Sequence, residues 1–129
     1  MIVVDTNVIA YLFIWGTHTD AVDRLLASEP DWIAPRLWLD EFLNVLATLE
    51  RNKSIDAASS NEILRDACLL MRDASYDLPA DRILSTARRT GCTAYYSQYV
   101  TLAEDLGLPL YTFDKRLIGN CPNVAQTPP

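Results

Sequence analysis

A chain of 129 residues, half of them hydrophobic, suffices for one domain with a substantial core and is too short for two ordinary ones. A formal charge of −6 excludes the broad basic field of a general nucleic-acid binder, so phosphate would have to be neutralised by metal ions or a few local arginines. No apolar run reaches bilayer-spanning length, and MIVVDTNV carries neither a basic leader nor a small-residue cleavage site, which predicts a cytoplasmic protein with no membrane association.

Ile2–Val4 is a β-branched run ending in Asp5-Thr6-Asn7, which predicts a buried strand turning into a helix over Val8–Phe13 with Thr6 or Asn7 as its cap. Thr19-Asp20 opens a second helix through Val22, Leu25 and Leu26, and Glu29-Pro30-Asp31 breaks it. Trp32–Ala34 is a short strand stopped by Pro35. From Leu37 to about Arg51, Trp38, Phe42, Val45, Leu46 and Leu49 share one helical stripe. A fourth helix over Asp56–Asp73 points Ile63, Leu64, Ala67, Leu70 and Met71 inward, and Tyr76-Asp77-Leu78 is a very short strand. Pro79 suits the first turn of a helix that Gly91 ends after Thr90. Thr93 caps a further helix through Tyr99, Leu102, Ala103 and Leu106, closed by Gly107. Leu110–Phe113 is a strong buried strand ending in Asp114, Lys115–Ile118 is a short helical turn, and Asn123–Ala125 is a final strand.

Strands separated by helices, with no hairpin signal such as Asn-Gly, predict an α/β fold: a parallel β-sheet with helices on both faces. No repeat, linker or low-complexity segment divides residues 1–129, so the chain reads as a single domain. Cys68, Cys92 and Cys121 lack CxxC spacing and are expected to be reduced structural thiols, with Cys68 in the core. His18, the only histidine, lies in the polar segment THTD, where a solvated or capping role is expected. Its isolation leaves His-based metal motifs and Ser-His-Asp triads without support.

Chemistry gathers on three carboxylates. Two strands each deliver an aspartate at the carboxyl end, Asp5 and Asp114, and ligands of open parallel sheets bind outside those ends near a topological switch point. Each Asp can also simply cap the helix that follows; two in matching contexts, both near a Thr, favour a shared site. Helical spacing puts Glu41 at the edge of the Trp38/Phe42/Val45 stripe and turns Asp40 outward. A carboxylate beside a core face needs a partner, so Glu41 is either a metal ligand or half of a buried ion pair with an arginine such as Arg36. Carboxylates without His or Cys select Mg²⁺ or Mn²⁺ over zinc, and such metals activate water and stabilise charge on a phosphoryl oxygen.

DTNVIAYL, WLDEFLNVL and YVTLAEDLGLPLYTFDKRL, in that order, resemble a PIN domain of the VapC-type toxin ribonucleases, and the likeness covers nearly the whole chain. That resemblance implies a Rossmann-like PIN fold, Mg²⁺- or Mn²⁺-dependent endonucleolytic cleavage of RNA, homodimerisation and inhibition by a VapB-type antitoxin. It places Asp5, Glu41 and Asp114 on catalytic, metal-binding acidic positions, and Asn7 and Thr112 on the polar positions that support them. Arg36, Lys115 and Arg116 adjoin the proposed edge and are the candidates for RNA phosphate.

One position departs from the family. A further Asp normally opens the penultimate helix in a run like YDAxYxxLA, and here Tyr96 stands in that place. Ser97 is expected to face outward if Tyr99 and Ala103 face in. With one carboxylate missing, a single metal fits better than a two-metal clamp, which predicts weak or absent cleavage. Tyr96 can hydrogen-bond a carboxylate or metal-bound water, stack on an RNA base, or merely fill space. The competing reading is a non-catalytic PIN-like protein that binds an antitoxin or RNA. A phosphatase using Asp5 as nucleophile is less favoured, because no second Asp follows two residues later.

Overall fold

Ile2, Val3 and Val4 form strand β1, and none is more than 2% exposed. Successive strand side chains point to opposite faces, so burial of all three means that both faces of the sheet are covered. The computed structural model describes all of residues 1–129. In chain order, β1 leads through α1 (Thr6–Phe13) and α2 (Thr19–Ser28) to β2 (Trp32–Pro35). Helices α3 (Leu37–Arg51) and α4 (Ala57–Leu70) then lead to β3 (Ser75–Tyr76). The pair α5 (Ala80–Thr90) and α6 (Ala94–Leu106) leads to β4 (Leu110–Tyr111), and α7 (Lys115–Asn120) precedes β5 (Ala125–Gln126).

All four strand pairings are parallel, in the order β3-β2-β1-β4-β5. The chain builds outward from β1 to β3, then returns to the other side of β1 with β4. The order reverses between β1 and β4, which makes their carboxyl ends the switch point of the sheet. Pro35 is the last residue of β2. The amides of Ala34 and Arg36 donate to Ala74 and Tyr76, so the ladder to β3 skips the proline nitrogen.

The core is continuous, with Ile2, Ile9, Ile33, Phe42, Tyr99, Leu110 and Leu117 among its most enclosed side chains. Helix α6 packs on β1, β2 and β4, with α5 against it, while α1 contacts α2, α3 and α4. Burial on α6 extends around most of the helix, from Ser97 through Ala103. Ser97 is fully buried with its Oγ unpartnered, against the expected outward orientation. Helix α6 is sandwiched between the sheet and α5, so from Ser97 to Ala103 only Gln98 keeps partial access to water.

Cys68 is exposed, while its neighbour Ala67 takes the core position. His18 stands at the α2 N-cap without a side-chain capping bond. Its ring instead stacks on Phe113, with centroids 4.0 Å apart and planes at 19°, and Tyr11 meets it edge-on. The ring is thus half-buried against aromatic side chains, where a solvated or capping role was expected.

Candidate active site

Asp5 terminates β1 and is the N-cap of α1, where Thr6 or Asn7 was the expected cap. An aspartate at this position accepts from the first free amides of the helix, which the preceding strand geometry presents to it. Oδ1 of Asp5 accepts from the amides of Asn7 at 2.7 Å and Val8 at 3.4 Å, and Oδ2 accepts from the Thr112 hydroxyl. The Asp5 amide donates to the Tyr111 carbonyl of β4, which seats the residue at the β1/β4 junction. Asp114 repeats the arrangement one strand away as N-cap of α7. Its Oδ1 accepts from the Leu117 amide at 2.9 Å, and its own amide donates to Thr112 Oγ1. Thr112 therefore bridges the two aspartates, and capping coexists with a shared site.

Glu41, on α3, is half-buried and pairs with no arginine. Its Oε1 accepts from the Tyr99 hydroxyl at 2.6 Å and from Thr6 Oγ1 at 3.0 Å. The hydroxyls of Thr6 and Tyr99 are 2.7 Å apart, so α1, α3 and α6 meet at one carboxylate oxygen. Tyr99 and Thr6 are the residues that sequence reasoning missed as site components. Spacing showed Tyr99 only as an inward helix position, with nothing to connect its hydroxyl to Glu41.

Asp5, Thr6, Asn7, Glu41, Asn44, Val45, Tyr96 and Tyr99 line a cleft of about 190 Å³. Asp5 is 4% exposed and no lysine or arginine bonds to it or to Glu41. Burial pushes the Asp5 carboxyl up to about 6, against the Thr112 hydroxyl and the two amides, and the charge of Glu41 pushes the same way. Burial, then the Glu41 charge, raises the Tyr99 phenol far above its ordinary range, so it stays a proton donor to Glu41.

Asp114 does not line the cleft. Tyr96 rises from the first turn of α6 and donates its hydroxyl to Asp114 Oδ2 at 2.7 Å. Its phenol is pushed up to about 12, first by this hydrogen bond and then by burial and the surrounding carboxylates. Burial acts to raise the Asp114 carboxyl, but the Leu117 amide, the Tyr96 hydroxyl and the Arg116 charge hold it below its usual value. Asn7 is exposed at the cleft mouth and supports Asp5 through its backbone amide. Arg36 is held by Asp77 at 2.8 Å, away from Glu41, while Lys115 and Arg116 are exposed beside Asp114.

The residues fit a cation in part. Two carboxylates face a cleft without a basic counter-charge, and Oε2 of Glu41 has no donor, which suits a hard ion with water in its remaining positions. No three His, Cys, Asp or Glu side chains are grouped to hold an ion together, and Asp114 accepts instead from Tyr96 and Leu117.

The molecule is thus a parallel α/β sheet with a carboxylate-lined cleft at its switch point. The chain belongs to the PIN domain family, whose model matches residues 2–119. PIN domains are generally nucleases and typically use divalent metal ions. A crystal structure of PAE2754 from Pyrobaculum aerophilum is similar in fold, with a TM-score of 0.72 and 23% identity over 95% of this chain and 81% of that one. FitAcB from Neisseria gonorrhoeae is similar with a TM-score of 0.72 and 20% identity, covering 99% of this chain and 98% of that one. Comparison with curated proteins finds no match.

Proposed function

We propose that the chain is a metal-dependent RNA endonuclease of the VapC type, restrained by Tyr96. The observation that carries this reading is the pair Asp5 and Glu41, two carboxylates in one cleft with no cationic side chain to balance them. Asp5 and Glu41 would hold a Mg²⁺ or Mn²⁺ ion, and Asp114 would join them once its bond to Tyr96 opens. Such an ion supplies an activated water and stabilises charge on the phosphoryl oxygen. The chain's own part is orientation: Thr112 and the α1 amides aim Asp5, and Tyr99 and Thr6 aim Glu41. Lys115 and Arg116, exposed beside Asp114, are the candidates for RNA phosphate; Arg36 is less available while it pairs with Asp77.

This reading implies a VapB-type antitoxin as partner and a homodimer as the assembly. An apolar groove lined by Ala10, Tyr11, Ile14 and Leu49 shares Asn7 and Val45 with the acidic cleft. A partner that sets a basic side chain into the cleft and apolar ones into this groove would complement both. A second reading, a non-catalytic PIN-like protein that binds an antitoxin or RNA, is favoured by one observation: Tyr96 occupies an oxygen of Asp114.

Cleavage of a structured RNA in Mn²⁺ separates the two. Tyr96→Asp is expected to raise the rate by about tenfold or more, the scale of effect seen when groups around a metal are changed. Equal robust activity of both forms would remove the restraint assigned to Tyr96. RNA binding without cleavage by either form would establish the second reading.

A further inference from the structure

Cys92 and Cys121 are separated by 29 positions in the chain, yet their sulfurs stand 3.8 Å apart as free thiols. Cys92 is half-buried in the link between Gly91, which ends α5 in a left-handed conformation, and Thr93, which caps α6. Cys121 is 6% exposed and forms the C-cap of α7. No third metal-ligating side chain joins them, so the pair does not form a metal site. We propose that Cys92 and Cys121 form a reversible disulfide on exposure to a low-molecular-weight disulfide such as oxidised glutathione, clamping the start of α6 to the end of α7.

Closure from 3.8 Å to a disulfide length of about 2.05 Å needs less than 2 Å of movement, shared by two residues at element ends. Cys92 is the more accessible residue of the two, and the Asn120 side-chain amide lies 3.8 Å from its sulfur as a donor. Burial and the neighbouring Cys92 sulfur push the Cys121 thiol up to about 11, which assigns it the second step. The Cys92 thiolate attacks one sulfur of oxidised glutathione and a glutathione thiolate leaves and takes up a proton. Cys121, on losing its proton, attacks the Cys92 sulfur of the mixed disulfide and expels the second glutathione. Two protein thiols are oxidised and one glutathione disulfide is reduced to two thiols.

The clamp has a consequence for the cleft. Cys92 directly precedes the α6 cap Thr93, whose hydroxyl accepts from the Tyr96 amide, and α7 runs from the Asp114 cap to the Cys121 cap. The new bond therefore joins the two elements that meet in the Tyr96–Asp114 hydrogen bond and resists their separation. This inference goes beyond the proposed nuclease reading, and its test uses neither RNA nor metal.

The full chain carrying Cys68→Ser, which removes the exposed third thiol, is treated with oxidised glutathione and then mapped by peptide mass. The expected result is loss of both remaining thiols without a retained glutathione, and a linked peptide pair holding Cys92 and Cys121. The melting temperature should rise by about 10 °C, reversed by dithiothreitol, as expected for closing a loop of this length. Amide exchange over Thr93–Ser97 should slow in the oxidised form. Cys92→Ser, at the less buried member of the pair, should abolish each change. Two thiols that stay titratable, or a stable glutathione adduct on Cys92 beside a free Cys121, would overturn the proposal.

Discussion

Asp5 is held by three donors and still resists ionisation, because burial outweighs them. Its proton is retained in the folded chain between the ordinary value of 3.8 and about 6, where the unfolded chain has released it. The contribution of Asp5 to stability is therefore full below 3.8, lost as pH rises through about 6, and a penalty at neutral pH. In chelator, Asp5→Asn is expected to gain on wild type as pH rises from 4.5 to 7, by on the order of 2 kcal/mol from the charge alone. Denaturant melts across that range measure it, and a difference that is flat with pH would refute the uncompensated charge. Tyr99 acts on the other carboxylate. Tyr99→Phe removes one of two donors to Glu41 Oε1 and should cost about 1 kcal/mol of stability. Weaker Mn²⁺ binding in calorimetry, with the fold intact by circular dichroism, would assign Tyr99 a positioning role.

At the scale of elements, α6 carries most of what distinguishes the site. Its first turn presents Tyr96 to Asp114, its second brings Tyr99 to Glu41, and Val100–Ala103 are buried where it packs on the sheet and α5. The hydroxyls of Thr86 and Thr101 meet at 2.7 Å in the buried α5/α6 seam, and Arg82–Asp105 and Arg89–Glu104 pairs close its exposed side. Thr93 fixes where α6 begins, since its hydroxyl accepts from the Tyr96 amide at 3.2 Å. Thr93→Ala is expected to destabilise the protein by about 1 kcal/mol and to fray the turn bearing Tyr96. Hydrogen exchange at the Tyr96 amide reads this directly, and unchanged protection would place the control of that turn elsewhere.

At the scale of the molecule, β1 and β4 bring two helix-capping aspartates together, while α3 supplies Glu41 and α1 and α6 supply its donors Thr6 and Tyr99. Folding thus concentrates negative charge that a cation can neutralise. Mn²⁺ should raise the melting temperature in a concentration-dependent way, by about 2.7 kcal/mol of stability at a hundredfold excess over its dissociation constant. The effect should be largely absent in Asp5→Asn. An equal metal-induced shift in both forms would move the binding site away from the cleft.

The alternation of buried strands with amphipathic helices was legible in the chain, and so were the parallel sheet, the capping roles of Thr93 and Gly91, and the placement of Asp5 and Asp114 after their strands. Those features depend on local periodicity and on residues adjacent in sequence. Glu41 could be placed at the edge of a core face, but not beside Tyr99, which is 58 positions away. The sandwiching of α6, the burial of Ser97, the exposure of Cys68 and the approach of Cys92 to Cys121 likewise depend on what packs across each helix. Helical spacing reports which residues share a face, while only the packing of the other elements decides how many faces are covered. Tyr96 shows the division most clearly: its departure from the family pattern was readable, but the hydrogen bond that engages Asp114 required α6 and α7 to be brought together in space.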